Sequence, residues 1–297
     1  MQTSIVSYPD RGKWGNSSWA GNASGYLYKD LFEQLRPQVF IDPTVGSGTS
    51  VQVAREMNIE AYGLDLHSGF NAVRDSILEK VGKHADCIVS HPPYGSMIIY
   101  SGAVWGAQAH PDDLSRCVDD NDFHEKLQLV MLNQREATKG GCYYGTILGD
   151  FRRQGRYTCY MAEVIARMPS DELAGVIVKA QHNCTSDRRQ YARMALPRIM
   201  HEYLVLFKKK ATPTLVLLSN MAREQQARLT GTWRNVVRTV LMSLGGRAPL
   251  ARIYDHVAEA APDKLAANPH WRDKVRQVLN STPDCFKSDA RGEWACA

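Results

Sequence analysis

Short apolar runs alternate with amphipathic stretches through the first two thirds of the chain, and this alternation limits the fold more than any other feature. The strand-like runs are 38–41, 60–66, 86–90, 142–148, 173–179 and 201–208. Helix-like stretches at 51–57 and 123–138 separate several of them. Strands that alternate with helices predict βαβ units and a mostly parallel sheet, and right-handed crossovers favour a doubly wound α/β fold.

The composition is that of an ordinary soluble protein. Of the 297 residues, 44% are apolar and 23% are charged, which is enough apolar content to bury a sizeable core. No stretch approaches the roughly 20 apolar residues that cross a bilayer, and the N-terminus lacks the apolar segment of a secretory signal. We therefore expect no membrane contact. The net charge of +5 permits a polyanionic partner but does not identify one.

The seven cysteines are scattered, at positions 87, 117, 142, 159, 184, 285 and 296, and no two form a Cys-x-x-Cys pair. An odd and scattered set favours reduced thiols in the cytoplasm over a disulfide framework or a zinc site. No group of His and Cys residues has the spacing of metal ligands. We therefore expect a cytoplasmic protein without a bound metal.

The sequence pattern changes after the lysines at 208–210, which suggests three segments: a sheet domain at 1–210, a connector at 211–230 and a small domain at 231–297. In the last segment, helix-like stretches at 233–244, 248–260 and 270–280 precede two short strand-like runs. Three helices followed by a β-hairpin predict a winged helix. Its ten Lys and Arg against seven Asp and Glu leave a net charge of +3.

A glycine-containing loop joins a strand to a helix and reads Asp42-Pro43-Thr44-Val45-Gly46-Ser47-Gly48-Thr49. Its glycines let the backbone turn tightly and approach a ligand, and the helix behind it offers free N–H groups. Asp65 ends the next strand about 20 residues on, where a ribose would need an acceptor. These features favour a nucleoside-type cofactor over an ordinary βα turn. Because no Gly-Lys-Ser/Thr follows, the loop is not a phosphate-binding P-loop.

The third strand-like run ends in Ser90-His91-Pro92-Pro93-Tyr94. The Pro-Pro-Tyr triplet within this segment can also be a rigid turn or a ligand for an SH3 or WW module. Here it ends an apolar strand at the same sheet edge as the glycine loop, where doubly wound sheets bind their ligands. Two prolines stiffen the backbone and fix a carbonyl in place, and the tyrosine offers a flat face for a base.

Together the two motifs resemble those of the DNA amino-methyltransferases, which use S-adenosylmethionine and carry an Asp/Asn/Ser-Pro-Pro-Tyr signature. The resemblance extends to 14–17, 22–25 and the closing strand at 201–204, and spans about residues 8 to 209. It implies a Rossmann-like methyltransferase sheet at 1–210, with the winged helix at 231–297 as a DNA-binding domain. The pattern is most similar to the small adenine methyltransferases of Mu-like prophages.

The resemblance implies which residues hold S-adenosylmethionine. The glycine loop would bind its amino acid moiety, the acid after the second strand would bind its ribose, and the N-terminal segment would close over its methionine end. The implied cofactor-binding residues are Asn22, Ser24, Gly25, Asp42, Pro43, Gly46, Ser47, Gly48, Thr49 and Asp65.

The resemblance also assigns the catalytic role to His91, Pro92, Pro93 and Tyr94. The target base must leave the stack to be reached. Tyr94 would stack on this base, while the Pro92 carbonyl and the residue before it accept hydrogen bonds from its exocyclic amine. The lone pair of the amine then faces the methyl sulfonium, and transfer is direct. No cysteine follows a proline, so the covalent route of cytosine carbon-5 enzymes is not expected.

His91 stands where the family carries Asp, Asn or Ser. A neutral imidazole can accept one hydrogen bond, but a protonated one cannot. We therefore expect activity to fall below the usual histidine range near pH 6.5, and a profile flat to about pH 5 would count against His91. Ser90 is the alternative acceptor. The segment between Asp65 and Asp86 is short, so the usual third strand is expected to be missing or stunted.

Basic and polar residues follow two later strands and recur on the third helix of the tail. Such side chains suit phosphates and base edges, and the third helix of a winged helix enters the major groove. The alternatives are solvated loops and a packing or dimerisation module. The expected contacts with double-stranded DNA are Arg152, Arg153, Arg156, Lys179, Gln181, Asn183, Arg272, Lys274 and Arg276.

The stretch from Gly95 to Asn121 is only about 27 residues, too short for a large target-recognition insert. We therefore expect short or relaxed sequence specificity. N6 of adenine is preferred over N4 of cytosine, although the Pro-Pro-Tyr motif does not decide between them. An RNA amino-methyltransferase and a DNA-binding regulator with an inactive methyltransferase fold are the alternatives. The sequence does not predict the oligomeric state.

Overall fold

The N-terminal part of the chain forms a seven-stranded sheet in which every strand but one runs in the same direction. The structure is a computed structural model that describes residues 1–153, 155–182, 196–260, 265 and 269–297. It divides into two compact units, Met1–Thr214 and Leu215–Ala297. The strands of the first unit are β1 Ile5–Ser7, β2 Val39–Asp42, β3 Glu60–Gly63, β4 Ala85–Ser90, β5 Thr138–Leu148, β6 Phe151–Arg153, β7 Arg156–Thr158, β8 Leu173–Ala180 and β9 His201–Lys208.

The sheet order is β1-β8-β9-β5-β4-β2-β3, and β9 is antiparallel to both of its neighbours. The predicted α/β fold with a mostly parallel central sheet is confirmed. Described residues 64–84 contain a 3₁₀ turn and a short helix but no strand, so the expected third strand is missing and β3 lies at the edge. The strands β6 and β7 form a separate hairpin.

Helices cover both faces of this sheet because successive strand residues point to opposite sides. The helices are α1 Gly25–Leu35, α2 Thr49–Glu56, α3 Ile77–Val81, α4 Asp120–Ala137 and α5 Tyr160–Arg167. Phe40 packs in one core with α1 and α2, whereas its neighbour Ile41 packs in the other core with α3, α4 and α5. Fully burying each such side chain stabilises the fold by about 1.5–3 kcal/mol.

The described residues of the second unit include three long helices and a small antiparallel sheet. Its elements are α6 Thr214–Ser243, β10 Arg247–Pro249, α7 Leu250–Ala260, α8 Trp271–Ser281, β11 Phe286–Ala290 and β12 Glu293–Cys296. The strand order is β10-β12-β11. Trp233, Trp271 and Trp294 pack against its core. None of the described helices has the length and apolar character that crossing a bilayer requires.

Two local expectations differ from the structure. Most of the predicted connector is helical, because α6 begins at Thr214 and runs without interruption into the stretch predicted to start at Trp233. The segment predicted as a basic loop after β5 forms the hairpin β6–β7. The polar residues of both segments are compatible with an exposed helix face or a short exposed hairpin.

Candidate active site

A cleft of about 860 Å³, its open mouth included, lies at the carboxyl ends of β2, β3 and β4. His91 and Pro93 line it together with a majority of the predicted cofactor-binding residues. Those residues are Asn22, Asp42, Pro43, Gly46, Thr49 and Asp65. The fold therefore brings the glycine loop, the acid after β3 and the Pro-Pro-Tyr segment to a single site.

The glycine loop turns through two residues in the left-handed region. Gly46 has a φ of 50° and Gly48, the N-cap of α2, has a φ of 89°. Glycine adopts these angles without steric cost. A Cβ atom on Gly46 would lie 2.9 Å from Nε1 of Trp19, so the indole can pack here only because the side chain is missing.

Asp42 is a buried carboxyl group at the floor of the cleft, with 2% of its surface exposed. Ser50 Oγ donates to it over 2.5 Å and the backbone N–H of Thr44 donates over 3.0 Å. Burial nevertheless raises the pKa of Asp42 to about 7, because two neutral donors do not replace the lost hydration. The group therefore titrates near neutral pH, where a cationic ligand would favour its charged form.

Thr49 lines the same cleft and carries a hydroxyl group without a hydrogen-bond partner among the described residues. Its Oγ1 is buried and has no hydrogen-bond partner among the described residues. Buried hydroxyls are almost always paired, so an unpaired one beside a cleft indicates a ligand or water partner. This supports the predicted role of Thr49 in holding a polar ligand.

Asp65 is anchored by protein donors on both oxygens. The N–H of Gly46 donates to Oδ2 over 2.8 Å, and the N–H of His67 donates to Oδ1 over 3.1 Å. The hydrogen bond that Asp65 accepts from the imidazole also raises the pKa of His67, whose Nδ1 lies 2.8 Å from Oδ1. These donors orient the carboxylate and leave it further lone pairs for ribose hydroxyls.

A cluster of aromatic side chains that the sequence analysis did not identify lines the cleft. The Trp19 ring lies 5.2 Å from the His67 ring and 6.4 Å from the Tyr100 ring, and His67 lies 6.5 Å from Trp105. Tyr100 Oη donates to the carbonyl of Ala20 over 2.9 Å and thereby joins the N-terminal segment to the loop after Pro-Pro-Tyr. No sequence motif marks these residues, because they come from segments far apart in the chain.

The remaining predicted cofactor residues support the cleft without lining it. Ser24 caps α1, and Gly25 leaves room for Trp14, whose ring would lie 2.2 Å from a Cβ there. Ser47 Oγ donates to Asn22 Oδ1 over 2.7 Å, which ties the loop to the N-terminal segment.

His91 is neutral at physiological pH. Burial lowers its pKa to about 4, with Lys179 adding to the effect and Glu202 opposing it. Its backbone N–H donates to Thr44 Oγ1 over 2.7 Å, and its Nε2 lies 2.6 Å from the hydroxyl of Tyr94. The expectation of an activity loss near pH 6.5 used the pKa of a solvated histidine, and the lowered pKa of His91 moves the expected loss to a lower pH.

Ser90, the alternative acceptor, faces away from the cleft. It is fully buried, and its hydroxyl accepts a hydrogen bond from Gln134 Nε2 over 2.9 Å. Adjacent residues at a strand end point to opposite faces. Of the two candidates, only His91 lines the cleft.

The ring of Tyr94 packs against Gly149 at the end of β5, where a Cβ would lie 3.1 Å from Tyr94 Cε2. Burial raises the pKa of Tyr94 well above 10, and the charge and a hydrogen bond of Glu202 raise it further. Pro92 is buried, so only part of the predicted catalytic segment is open to a ligand.

Lys179 and Gln181, predicted to contact DNA, instead surround Glu202. Lys179 Nζ lies 2.5 Å from Glu202 Oε2, and Gln181 Nε2 donates to Oε1 over 2.6 Å. Lys179 and Glu202 are direct partners in the β8–β9 ladder and are each 7% exposed. Two opposite charges within apolar strands were the sequence signal that could have revealed this pair.

The arginines of the hairpin β6–β7 lie near the surface. Arg152 donates to the carbonyl of Pro197 over 3.1 Å and stacks on Tyr157, and Arg153 donates to Ser96 Oγ over 3.3 Å. Arg156 is exposed. Asn183 lies outside the described residues.

On α8 of the second unit, Arg272 and Arg276 are exposed and Lys274 is half-buried. Arg272 stacks on Tyr254 and Trp271, and Arg276 pairs with Asp273 over 2.7 Å. The helix therefore presents basic groups, but the charge of Arg276 is partly neutralised by Asp273.

In the described part of the chain, no three His, Cys, Asp or Glu side chains are grouped so as to hold a metal ion. The six cysteines within it are all free, and Cys184 lies outside it.

No protein-family model matches the sequence, and no curated protein matches it significantly. Among solved structures, the chain is similar to TrmN of Thermus thermophilus, with 14% identity and a TM-score of 0.41 over 64% of this chain and 50% of that one. It is also similar to the 16S rRNA N2 G1207 methyltransferase RsmC of the same organism, in complex with AdoMet and guanosine, with 12% identity and a TM-score of 0.34 over 66% and 45%.

A third similar structure is a Thermus thermophilus protein provisionally described as a DNA modification methylase and solved with S-adenosyl-L-methionine. The identity is 16% and the TM-score 0.29, over 59% of this chain and 56% of that one. The chain thus spans about half the length of the structures it matches. At these TM-scores the similarity itself supports no assignment of activity.

Proposed function

We propose that the protein is an S-adenosylmethionine-dependent methyltransferase that modifies the exocyclic amine of a nucleic-acid base. The observation that carries this proposal is the shared cleft: Asp42 and Asp65 line it from the glycine loop and β3, and His91 lines it from β4. A nucleoside cofactor and an acceptor for an amine would thus meet at one sheet edge, where α/β folds bind their ligands.

The cleft residues fit this cofactor. Asp42 titrates near pH 7 and could pair with the ammonium group of the methionine moiety, and the unpaired Oγ1 of Thr49 could bond the same moiety. Asp65, held by Gly46 and His67, is oriented for ribose hydroxyls. When bound, S-adenosylmethionine supplies an electrophilic methyl group on a positively charged sulfur.

The substrate amine would be held by His91, which lines the cleft, and by the carbonyl of Pro92, which substrate binding would have to uncover. Because the pKa of His91 is about 4, its imidazole is neutral and keeps one bare nitrogen as an acceptor. Hydrogen bonds to both amine protons leave the nitrogen lone pair free to attack. When bound, S-adenosylmethionine would supply the methyl group and leave as a neutral thioether, and the methylated amine would release one proton to solvent water.

For the substrate we propose double-stranded DNA with a flipped-out adenine, modified at N6 with short or relaxed specificity. Two features of the second unit support DNA as the substrate. Its described elements are a helix, a strand, two helices and a hairpin, an order in keeping with the winged helix that we propose, and α8 presents Arg272 and Arg276. We retain 1–210 as the methyltransferase domain, 211–230 as the connector and 231–297 as the DNA-binding domain. Free cysteines are in keeping with a reducing cytoplasm.

The test is incubation of the protein with methyl-labelled S-adenosylmethionine and unmodified duplex DNA, followed by identification of the labelled nucleoside. We expect N6-methyladenine. N4-methylcytosine would move the target to cytosine, and label found only with RNA would replace DNA by RNA. Protein that binds the cofactor but labels no nucleic acid would contradict the enzymatic function.

Substitutions at position 91 then connect the chemistry to the cleft. His91→Leu removes the acceptor and is expected to lower labelling at least about 100-fold. His91→Asn restores an acceptor oxygen and should recover part of the activity. Equal activity of the two variants would exclude His91 as the amine acceptor.

A further inference from the structure

The hairpin β6–β7 carries an exposed aromatic ring that the proposed chemistry does not use. Tyr157 has 42% of its surface exposed, and among the described tyrosines only Tyr26 also reaches 36%. A single exposed apolar side chain needs no explanation by itself. Tyr157 differs from such a side chain because other residues fix the position of its ring.

Two contacts hold the ring of Tyr157 in one orientation. Its hydroxyl donates to Asp150 Oδ2 over 2.6 Å, and the guanidinium of Arg152 lies over the ring, 5.5 Å from its centroid. Arg152 is itself held, because its Nη1 donates to the carbonyl of Pro197 over 3.1 Å. A ring that is already held loses little conformational freedom when a flat ligand stacks on it.

Asp150 is a buried carboxylate with an unused oxygen, and only 3% of its surface is exposed. Tyr157 and Tyr203 both donate to Oδ2, over 2.6 and 3.3 Å, whereas Oδ1 is buried without a hydrogen-bond partner in the described part of the chain. A bare oxygen on a buried carboxylate is costly, so it indicates a donor that a ligand or water brings. The N–H groups on the edge of a nucleobase are donors of this kind.

The hairpin is attached to the segment that would bind the target base. A Cβ atom on Gly149, the residue before Asp150, would lie 3.1 Å from Cε2 of Tyr94. Arg153 donates over 3.3 Å to Oγ of Ser96, two residues after Tyr94. The hairpin therefore meets the Pro-Pro-Tyr segment at its base and again through Arg153, so a nucleotide bound on the hairpin would be a neighbour of the target nucleotide.

The charge of the hairpin suits a nucleic acid strand. Residues 151–158 contain three arginines and no acidic residue, and Arg153 and Arg156 are exposed. Arginines beside an aromatic ring are a usual combination for single strands, in which the cations bind phosphates and the ring stacks on a base. A base inside a continuous stack does not present its face to a side chain. The partner must therefore be a base that has left the stack, as can occur beside a flipped-out target.

We propose that Tyr157, held by Asp150, is a base-stacking residue that binds an unstacked base of DNA next to the target base. The placement beside a target base rests on the proposed function. The stacking itself requires neither cofactor nor methyl transfer, so it is tested separately.

The first experiment measures binding of a single-stranded oligodeoxynucleotide that carries 2-aminopurine between thymines, without cofactor. Stacking on a tyrosine quenches 2-aminopurine, so we expect quenching by the wild type and its loss in Tyr157→Ala. The affinity of Tyr157→Ala should fall about fivefold or more. Quenching by Tyr157→Ala equal to that of the wild type would overturn the proposal.

Tyr26→Ala is the matched control, because Tyr26 is 36% exposed and lies on α1, outside the hairpin. It should keep the quenching and the affinity of the wild type. In Tyr157→Ala, the slope of log affinity against log salt should also stay unchanged, because no cation is removed. A reduced slope would mean that the variant displaces the arginines of the hairpin, and it would contradict a stacking role for the ring.

Two further variants test the part played by Asp150. Tyr157→Phe keeps the ring but loses its hydrogen bond to the carboxylate, and Asp150→Asn weakens the same bond, so both should bind with affinities between those of the wild type and Tyr157→Ala. If Tyr157→Phe bound as weakly as Tyr157→Ala, the ring would not be the binding group. If both variants bound as tightly as the wild type, Asp150 would have no role in holding the ring.

A measurement on the wild type keeps the proposal testable even where a variant does not fold. An oligodeoxynucleotide with 5-iodouracil forms a covalent bond on irradiation to an aromatic side chain stacked on it, and mass spectrometry identifies the residue. We expect the cross-link at Tyr157. Cross-links found only at other residues would overturn the proposal.

Kinetics distinguish this inference from the proposed function. In an active enzyme, Tyr157→Ala should raise the KM for DNA about fivefold or more while the KM for S-adenosylmethionine stays within about twofold. An unchanged KM for DNA would overturn the stacking role and leave the methyltransferase function intact. A wild type that quenches and cross-links through Tyr157 but methylates no nucleic acid would contradict the proposed function and leave the stacking role intact.

Discussion

At the scale of single residues, Asp42 combines a buried position with a pKa of about 7, far above the ordinary value of 3.8. The folded apo protein therefore binds a proton there more tightly than the unfolded chain does. Stability contributed in this way is present at low pH and is lost as pH rises from about 4 to about 7. A cationic ligand beside Asp42 would reverse this preference.

We predict that binding of S-adenosylmethionine releases a proton from Asp42, so the affinity rises with pH up to about 7 and then levels. Calorimetric titration in buffers of different ionisation enthalpy measures the released proton directly. In Asp42→Asn the release should disappear and the affinity should lose its pH dependence in this range. An affinity independent of pH in the wild type would show that Asp42 does not face a cationic group.

His91 gives a second prediction with the opposite sign of pKa shift. Since burial lowers its pKa to about 4, the imidazole stays neutral well below pH 6. The kcat for methyl transfer should be flat from about pH 8 to about pH 5 and fall only as pH approaches 4. An acid limb near pH 6.5 would mean that a solvated histidine, or another group, controls the reaction.

The sequence predicted the role of a site residue only where that role depends on a motif of neighbouring residues. Asp42 and His91 each end a strand within a recognisable motif, so their shared cleft followed from the sheet edge alone. Glu202, Trp19 and Tyr100 escaped prediction because their roles depend on contacts with distant segments. The pKa of His91 was also out of reach, since it depends on burial that no sequence pattern reports.

At the scale of elements, the end of β5 positions the Pro-Pro-Tyr segment. Gly149 lies under the ring of Tyr94, and a methyl group there would approach within 3.1 Å of the ring. Such a contact is tighter than ordinary van der Waals distance, so the ring must shift by a few tenths of an ångström. Small displacements of catalytic groups lower the rate of the chemical step.

We therefore predict that Gly149→Ala lowers kcat about tenfold or more, with a small effect on thermal stability. Gly175→Ala on β8 is the matched control, because nothing lies within 4 Å of a Cβ at that position. Steady-state kinetics and thermal melting of the two variants make the comparison. Equal kcat values would show that the Gly149 contact does not position Tyr94.

Element prediction succeeded where apolar periodicity was strong and failed where elements were short or polar. The runs at 173–179 and 201–208 correspond to β8 and β9 almost residue for residue. The three-residue strand β1 was missed because such a run carries too little pattern. The continuity of helix α6 was missed because the change of sequence pattern near residue 231 suggested a boundary there.

At the scale of the whole molecule, the mild net charge of +5 hides an uneven distribution. On α8, Arg272 and Arg276 are exposed, whereas the basic residue Lys179 of the first unit is buried against Glu202. The cations open to a polyanion are thus fewer than the sequence suggested. The proposed DNA contacts of the second unit consequently depend on a small number of arginines.

We predict that Arg272→Glu with Arg276→Glu weakens binding to duplex DNA and reduces the slope of log affinity against log salt by about two, if each arginine contacts one phosphate. The matched control is Arg223→Glu with Arg228→Glu on α6, which changes net charge equally at exposed positions. Salt-dependent binding measured on the full chain separates the two. Equal losses in both variants would indicate a general charge effect and no specific role of α8.

The large-scale topology was largely accessible from sequence, because the βαβ alternation leaves few ways to order the strands. Even the loss of the third strand followed from the short segment between Asp65 and Asp86. The hydrogen bonds within the cleft could not be predicted from the sequence, since they depend on which buried groups meet across β4, β5 and β9.

The packing of Trp19 and Trp105 around the cleft means that the protein carries its own optical reporter of occupancy. A ligand that binds beside these rings changes the polarity of their surroundings, so their fluorescence should be quenched or shifted. The other described indoles lie at Trp14 and in the second unit, so Trp19→Phe with Trp105→Phe should remove the signal that S-adenosylmethionine produces and retain the background. A titration followed by fluorescence would then report the fraction of protein with bound cofactor without a label.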